Sequence, residues 1–257
     1  MNLPEIDLRI VEQATSTNEL ALEAIAKGAA AGTVFAADSQ TQGRGRREIG
    51  GDRRQWFSPP GENLYLSVVA RPSLSLERSA ALTIAVGASL VACLRELTGL
   101  EVELKWPNDL YIGERKVGGI LTEGVTGSDR LEAVAVGLGL NVNVEAQQFP
   151  EELRELATSL RAESGRGYDR LSLLLEMARA ILDAVERYRD EGLAVFSGDL
   201  QRWDWLRHRE VAVEAAGGAR RGRACGIGSS GGLRVEFEDG SVQEIISGEV
   251  QIVGLRK

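Results

Sequence analysis

EVELKWPNDLYIGERKVGGILTEGVTGSDRLEAVAVGLGLNVN, residues 101–143, carries three strands in one run. Residues 101–106 alternate as a half-buried strand broken by Pro107, and residues 117–122 and 131–143 follow as further strands. The last two read as a hairpin around Gly127-Ser128. Within them lie Gly118-Gly119 and Gly137-Leu138-Gly139. Glycine weakens a strand unless something must pass close to the backbone. A ligand lying across the sheet accounts for both sets of glycines at once; a pair of bulges is the plainer alternative.

Toward the N-terminus, residues 7–11 alternate like a strand, and Ser16-Thr17-Asn18-Glu19 fits a capping box for a helix over residues 18–27. Residues 33–37 are a short apolar strand. They run into a polar, Gly- and Arg-rich segment, 38–55, that no periodicity organises. Residues 63–70 predict a strand and residues 76–98 a helix apolar nearly all round, stopped by Gly99 and central to the core. Its most apolar part, 79–94, sits between Arg78 and Arg95 and falls short of the ~20 residues of a membrane span.

Toward the C-terminus, helices are expected over 151–161, 171–188 and 193–206. From Glu210 onward short strands are separated by Gly217-Gly218, Gly231-Gly232 and Asp239-Gly240, as in a small β-barrel. The expected class is α+β for residues 1–206 with an all-β module over 207–257.

The 257 residues are 43% hydrophobic and 26% charged, with a net charge of -8, enough to bury a full core. The acidic balance disfavours a general nucleic-acid or membrane-surface binder. Cys93 and Cys225 show no metal or disulfide spacing, and the first residues show no basic region followed by an apolar run, so a cytoplasmic protein is expected.

Two places carry chemistry. Gly43-Arg44-Gly45-Arg46-Arg47 combines free backbone with guanidiniums suited to carboxylate and phosphate, the alternative being a solvated turn. It matches neither common nucleotide loop. Only Lys27, Lys105, Lys116 and Lys257 among the 30 basic residues are lysine, and two of them flank the segment KWPNDL to RKVGG. A compact ammonium in a chain that otherwise uses arginine points to a specific demand there. The one histidine, His208, lies far from these motifs, so no Ser-His or Cys-His pair is available.

Taken in order, Ser16-Thr17-Asn18, Gln40, GRGRR (43–47), Trp56-Phe57-Ser58-Pro59, KWPNDL (105–110), RKVGGIL (115–121) and GLGLN (137–141) resemble the catalytic domain of the biotin–protein ligase family. The resemblance is strong over residues 15–143 and extends in class and position to the rest. It implies a mixed β-sheet with flanking helices, related to class II aminoacyl-tRNA synthetases, followed by an SH3-like β-barrel. It also implies biotin, ATP and Mg2+, formation of biotinyl-5'-AMP, and transfer of biotin to a lysine of a biotin carboxyl carrier protein or domain.

By the same resemblance Arg46 and Lys116 bridge the biotin carboxylate and the α-phosphate, with Arg44 on the phosphate side. Asp109 is a candidate for assisting the incoming amine. Ser16, Thr17, Gln40, Gly43, Gly119 and Gly137 belong with biotin. Trp56, Lys105, Asn108 and Asn141 join the charged residues on the ATP side, Asn108 and Asp109 serving the triphosphate and metal or the amine; metal ligands stay unassigned. Helix capping by Ser16 and Thr17, and a core role for Trp56, are the plain alternatives.

The sequence departs from the family where Glu48 to Gln55 separates the arginines from Trp56, a longer and more acidic loop expected to be mobile when empty. Some family members carry an N-terminal helix-turn-helix domain. Here the catalytic strand is reached by Ile6, so DNA binding is not expected, and neither is a membrane partner; a monomer or a homodimer is. Rival readings are a lipoate-type ligase, a non-catalytic biotin sensor, and an interaction module whose basic loop meets an acidic partner.

Overall fold

A computed structural model describes residues 3–47, 53–215, 218–246 and 250–253. Strand β1 (Asp7–Ala14), helix α1 (Thr17–Ala26) and strand β2 (Thr33–Gln40) open the chain. A small hairpin, β3 (Arg44–Arg47) and β4 (Arg53–Gln55), precedes β5 (Leu64–Ala70) and the two-residue β6 (Leu74–Ser75). Helices α2 (Leu76–Ser79) and α3 (Leu82–Thr98) lead into β7 (Val102–Lys105), β8 (Asp109–Ile112), β9 (Arg115–Thr126) and β10 (Arg130–Leu140). Helices α4 (Leu160–Ser164), α5 (Arg170–Glu191) and α6 (Ser197–Trp203) come next. The chain then forms β11 (Glu210–Ala215), β12 (Gly218–Ile227), β13 (Leu233–Phe237), β14 (Val242–Ile245) and β15 (Val250–Ile252).

The large sheet runs β1-β2-β5-β10-β9-β8-β7, with β6 paired to β10. Among the strand pairs of the described residues only β1 and β2 are parallel, so the sheet is mixed, as the family resemblance implies. The second sheet, β14-β13-β12-β11-β15, is antiparallel. Alternation along β5 and β10 sorts side chains onto two faces. Val34, Leu66, Val68, Val136, Leu138 and Leu140 belong to the main core with α3 and α5, whereas Phe35, Val69, Ala133 and Ala135 cluster with α1. Beyond α1 this second face is left to the glycines and polar residues described below.

Residues 76–98 are long and apolar enough to cross a membrane by composition, yet α3 is a core helix whose Leu82, Ile84, Val86, Leu90, Val91 and Leu94 are buried. Each such side chain stabilises the fold by about 1.5–3 kcal/mol. The same core continues into the second sheet through Val211, Val213, Ala224, Leu233, Val235 and Phe237. The C-terminal module is further joined by Trp106 Nε1, which donates to the Gly231 carbonyl at 2.9 Å.

Several sequence expectations need correction. The segment 38–55 is partly ordered: β2 continues to Gln40, and β3 pairs with β4, although residues 48–52 lie outside the described part. The 76–98 helix is two helices, α2 and α3. Strand β8 is not evident in the sequence. No helix spans 151–161. A single 3-10 turn forms at Glu151–Leu153, and residues 156–158 are drawn out beside β9, where Lys116 N–H donates to the Leu156 carbonyl and Thr158 N–H to that of Lys116. Ser159 then caps α4 by accepting from the Ala162 N–H at 3.0 Å. The third expected helix is a 3-10 turn and α6, which ends before Asp204 bridges to Leu104. The capping box is not formed. Ser16 makes no side-chain cap bond, and Glu19 turns to Thr15 and Arg44 instead.

Candidate active site

Residues directly opposite across antiparallel strands share a face. Lys105 pairs with Asp109, Asp109 with Gly119, Gly119 with Gly139, and Gly139 with Tyr65. The next row on the same face holds Leu121, Gly137, Ser67 and Phe35. The two glycine sets therefore face one another across β9 and β10 and clear one patch of sheet, as a ligand-bearing surface requires.

Strict alternation would turn Lys116 toward the core. The pairing of β8 with β9 skips Val117, matching Leu110 to Gly118 and Tyr111 to Lys116. Val117 is buried in the main core, and a Cβ on Gly118 would meet Leu110 and Leu140 there. Two successive residues thus face the core, and the bulge re-aims Lys116 onto the open face. Its ammonium lies 2.6 Å from Asp109 Oδ1, over the space left by Gly119, and 5.1 Å from the Trp56 ring centre.

The Trp56 ring lies on Gly139, where a Cβ would stand 2.8 Å from its Cε2 and Nε1. Its N–H is buried without a hydrogen-bond partner. Ring and ammonium together offer a flat apolar surface beside a fixed positive charge.

At the start of α1 the patch becomes hydrogen-bonding, with uncharged side chains set among Glu123 and the Arg44–Glu19 pair. Gln40 Oε1 accepts from the Thr17 N–H at 2.9 Å. Asn18 donates to the Leu121 carbonyl at 3.0 Å and to Glu123 at 2.9 Å, and accepts from Ser67 Oγ at 2.6 Å. Gly137 leaves the space Asn18 fills. Gly43 likewise admits Ser58, the Trp56 carbonyl and Gln40, and its own carbonyl accepts from the Trp56 N–H at 2.9 Å. Ser16 is buried beside them. Arg44 reaches Glu19 Oε1 at 3.1 Å, and the Thr15 hydroxyl, donating to Glu19, holds that carboxyl below its ordinary range.

The structure therefore brings Thr17, Gln40, Gly43, Arg44, Trp56, Asp109, Lys116, Gly119 and Gly137 toward one face. The backbone of Arg46 lies in β3, but its side chain is outside the described residues. Asn108 donates to the Ile120 carbonyl at 2.6 Å, tying the KWPND turn to β9. Lys105 stands on this face opposite Asp109, but its ammonium turns to other partners. Its ammonium lies 3.1 Å from the Tyr111 hydroxyl and 5.1 Å from the Trp205 ring centre, at the junction with the C-terminal module. Asn141 leaves the group, being 3% exposed with its amide bound to Asn63 and the Thr158 carbonyl.

Asn18, Ser58 and Ser67 are additions. The signal for Ser67 was a lone polar residue in an otherwise apolar buried strand. No group of three or more His, Cys, Asp or Glu among the described residues is arranged to hold a metal ion. A molecule matching this face has a neutral hydrogen-bonding head at α1 and an anionic end at Lys116.

Several known proteins are similar to this chain. Residues 10–141 match the sequence model of the biotin/lipoate A/B protein ligase family. The bifunctional ligase/repressor BirA of Bacillus spizizenii is 32% identical over 241 residues, 93% of this chain and 71% of that protein. The biotin–[acetyl-CoA-carboxylase] ligase of Mycobacterium tuberculosis is 32% identical over 188 residues, 71% of this chain and 65% of that one. The biotin protein ligase of Aquifex aeolicus, solved in complex with biotin and ATP, superposes with a TM-score of 0.78 at 31% identity, over 95% of this chain and 97% of that one. With the glycine-cleared face, the re-aimed lysine and these likenesses taken together, the chain belongs to the biotin/lipoate A/B protein ligase family.

Proposed function

We propose that the chain is an ATP-dependent biotin–protein ligase. It joins biotin to AMP, releasing pyrophosphate, and then transfers the biotinyl group to a lysine of a biotin carboxyl carrier domain, releasing AMP. The observation that carries this reading is the change of character along one open face. Thr17, Asn18, Gln40 and Ser67 supply neutral hydrogen bonds, and the Lys116–Asp109 pair under Trp56 supplies charge. A cyclic urea with an acid-ended tail has that same polarity.

In the first step a carboxylate oxygen attacks the α-phosphorus and the pyrophosphate oxygen leaves. Two anions must be held in line while charge builds on the phosphoryl oxygens, which fixed cations achieve through positioning and electrostatics. Lys116 exchanges Asp109 for the reacting anions, Arg46 joins it, and Arg44 holds phosphate. Trp56 covers the nucleotide and excludes water.

In the second step a carrier lysine, as free amine, attacks the acyl carbon. An amide forms, the phosphate–acyl bond breaks, and Asp109 is placed to take the proton. No protein nucleophile is needed. Magnesium binds through hard oxygens and usually enters with substrate phosphates rather than in a protein cage; the side-chain oxygens of Asn108 and Asp109 would help hold it, and the ion would neutralise phosphate charge.

We place the domain boundary near Leu206, with residues 1–206 holding the site and 207–257 closing against the KWPND turn. Lys116→Ala and Arg46→Ala should each lose about 3–4 kcal/mol of transition-state stabilisation in biotin-dependent pyrophosphate exchange. Wild-type exchange by Lys116→Ala would remove that residue from the chemistry and this reading with it.

A further inference from the structure

Lys116 sits at the end of β9, paired with Tyr111 of β8 on one side and without a strand on the other. Strand β10 stops at Leu140, opposite Gly118. The vacant edge is taken by residues 156–158: Lys116 N–H donates to the Leu156 carbonyl at 2.8 Å, and the Lys116 carbonyl accepts from Thr158 N–H at 2.9 Å. The backbone of the lysine is thus gripped by a segment that belongs to no sheet.

What holds that segment is a buried polar chain. The Asn141 amide donates to the Thr158 carbonyl at 2.9 Å, and the Asn141 carbonyl accepts from Leu160 N–H at 3.1 Å. Asn63 orients Asn141 by donating to its Oδ1 at 3.2 Å, while its own Oδ1 accepts from Val142 N–H at 3.0 Å. The Thr158 hydroxyl donates to Glu163 at 2.5 Å, and the same carboxylate oxygen takes Arg115, the neighbour of Lys116, at 2.7 Å. Asn63 and Thr158 are each 1% exposed. Buried polar groups are costly unless satisfied, and a satisfied network rigidifies what it touches. This one touches the backbone of the ammonium-bearing residue and the side chain beside it.

We infer that Asn63, Asn141 and Thr158 are positioning residues that fix Lys116 for the adenylation step, an inference that rests on the role proposed above for Lys116. The bulge against β8 turns Lys116 onto the open face, β10 ends before reaching it on the other side, and residues 156–158, anchored by the amide pair, take the place of the missing strand. Displacement of a catalytic group by about 1 Å can cost roughly 100-fold in rate, so loosening this grip acts on turnover before binding.

The test is biotin-dependent pyrophosphate exchange by Thr158→Val, which keeps the side-chain volume and the backbone bonds but deletes the hydroxyl. Turnover should fall roughly tenfold or more with the KM values for biotin and ATP within about twofold, and Thr158→Ser should restore it. Asn63→Ala should act in the same sense, with thermal denaturation run beside it to show that it folds. In a Lys116→Ala background Thr158→Val should add no further loss, since its effect passes through the lysine. Losses that multiply in the double variant, or Thr158→Val turnover within twofold of wild type while Lys116→Ala is crippled, would overturn the positioning role alone. Undiminished exchange by Lys116→Ala would overturn the site assignment beneath it.

Discussion

Gly137→Ala places one methyl in the middle of the hydrogen-bonding pocket. The new Cβ would stand 2.9 Å from Asn18 Cγ and closer still to its Oδ1, so the Asn18 side chain must leave. It cannot shift slightly, because it is 3% exposed and bound on three sides, to Ser67, the Leu121 carbonyl and Glu123. Each bond contributes about 1 kcal/mol net, and a buried partner left unpaired costs about 1–3 kcal/mol. Against this stands the ordinary gain of about 0.4–1 kcal/mol for replacing glycine where the backbone allows it. The balance is a loss of about 2–4 kcal/mol, or roughly 5–15 °C in melting temperature for a chain of this size. Urea and thermal denaturation would measure it. The same variant should raise KM for biotin about tenfold or more, since Ser67 also lies 2.8 Å from Thr17 Oγ1, while KM for ATP stays within about twofold. A variant with wild-type stability and wild-type KM for biotin would refute the packing of Asn18 and the location of the pocket together.

Asp204 yields a pH prediction. Burial pushes its carboxyl up from 3.8 to about 6, with the Leu206 N–H and Arg207 pulling the other way and Glu103 adding to the rise, and its Oδ2 has no hydrogen-bond partner. The folded state then binds more protons than the unfolded state between those values, so this group lowers stability as pH rises from about 4 through 6, by on the order of 3 kcal/mol at most above pH 7. Asp204→Asn should therefore gain about 1–3 kcal/mol in denaturant unfolding at pH 8 and almost nothing at pH 4; equal gains at both would contradict it. Trp106→Phe removes the donor to the Gly231 carbonyl and should cost about 1–3 kcal/mol in the same assay, and an unchanged midpoint would show that the C-terminal module is held without this bond.

The strands around β9 and β10 were legible because alternation and a Gly127-Ser128 turn are local signals, and the facing glycines followed once those strands were paired. β8 was not, since four residues after a proline turn carry too little periodicity to separate strand from loop. The 151–161 segment has helical composition, but the empty edge beside Lys116 recruits its backbone, a tertiary demand that local propensity does not report. The residue types and their order singled out Thr17, Gln40, Lys116, Asp109 and Trp56, which the fold carries toward one face. Lys105 and Asn141 were placed with them by proximity in motifs, whereas a ring pair at the module junction and an interior amide chain claim their side chains. Asn18 was named only within its motif and Ser67 only within its strand; the sheet register and the hydrogen bond between them bring them together.

Pyrophosphate release from ATP and magnesium tests the proposed ligase most directly, with biotin, lipoate and octanoate supplied as competing acids and a biotin carboxyl carrier domain added afterward. Release with biotin alone, followed by biotin fixed on the carrier lysine, is the expected result. Release driven by lipoate or octanoate in place of biotin, or tight biotin binding with no pyrophosphate released, would contradict it.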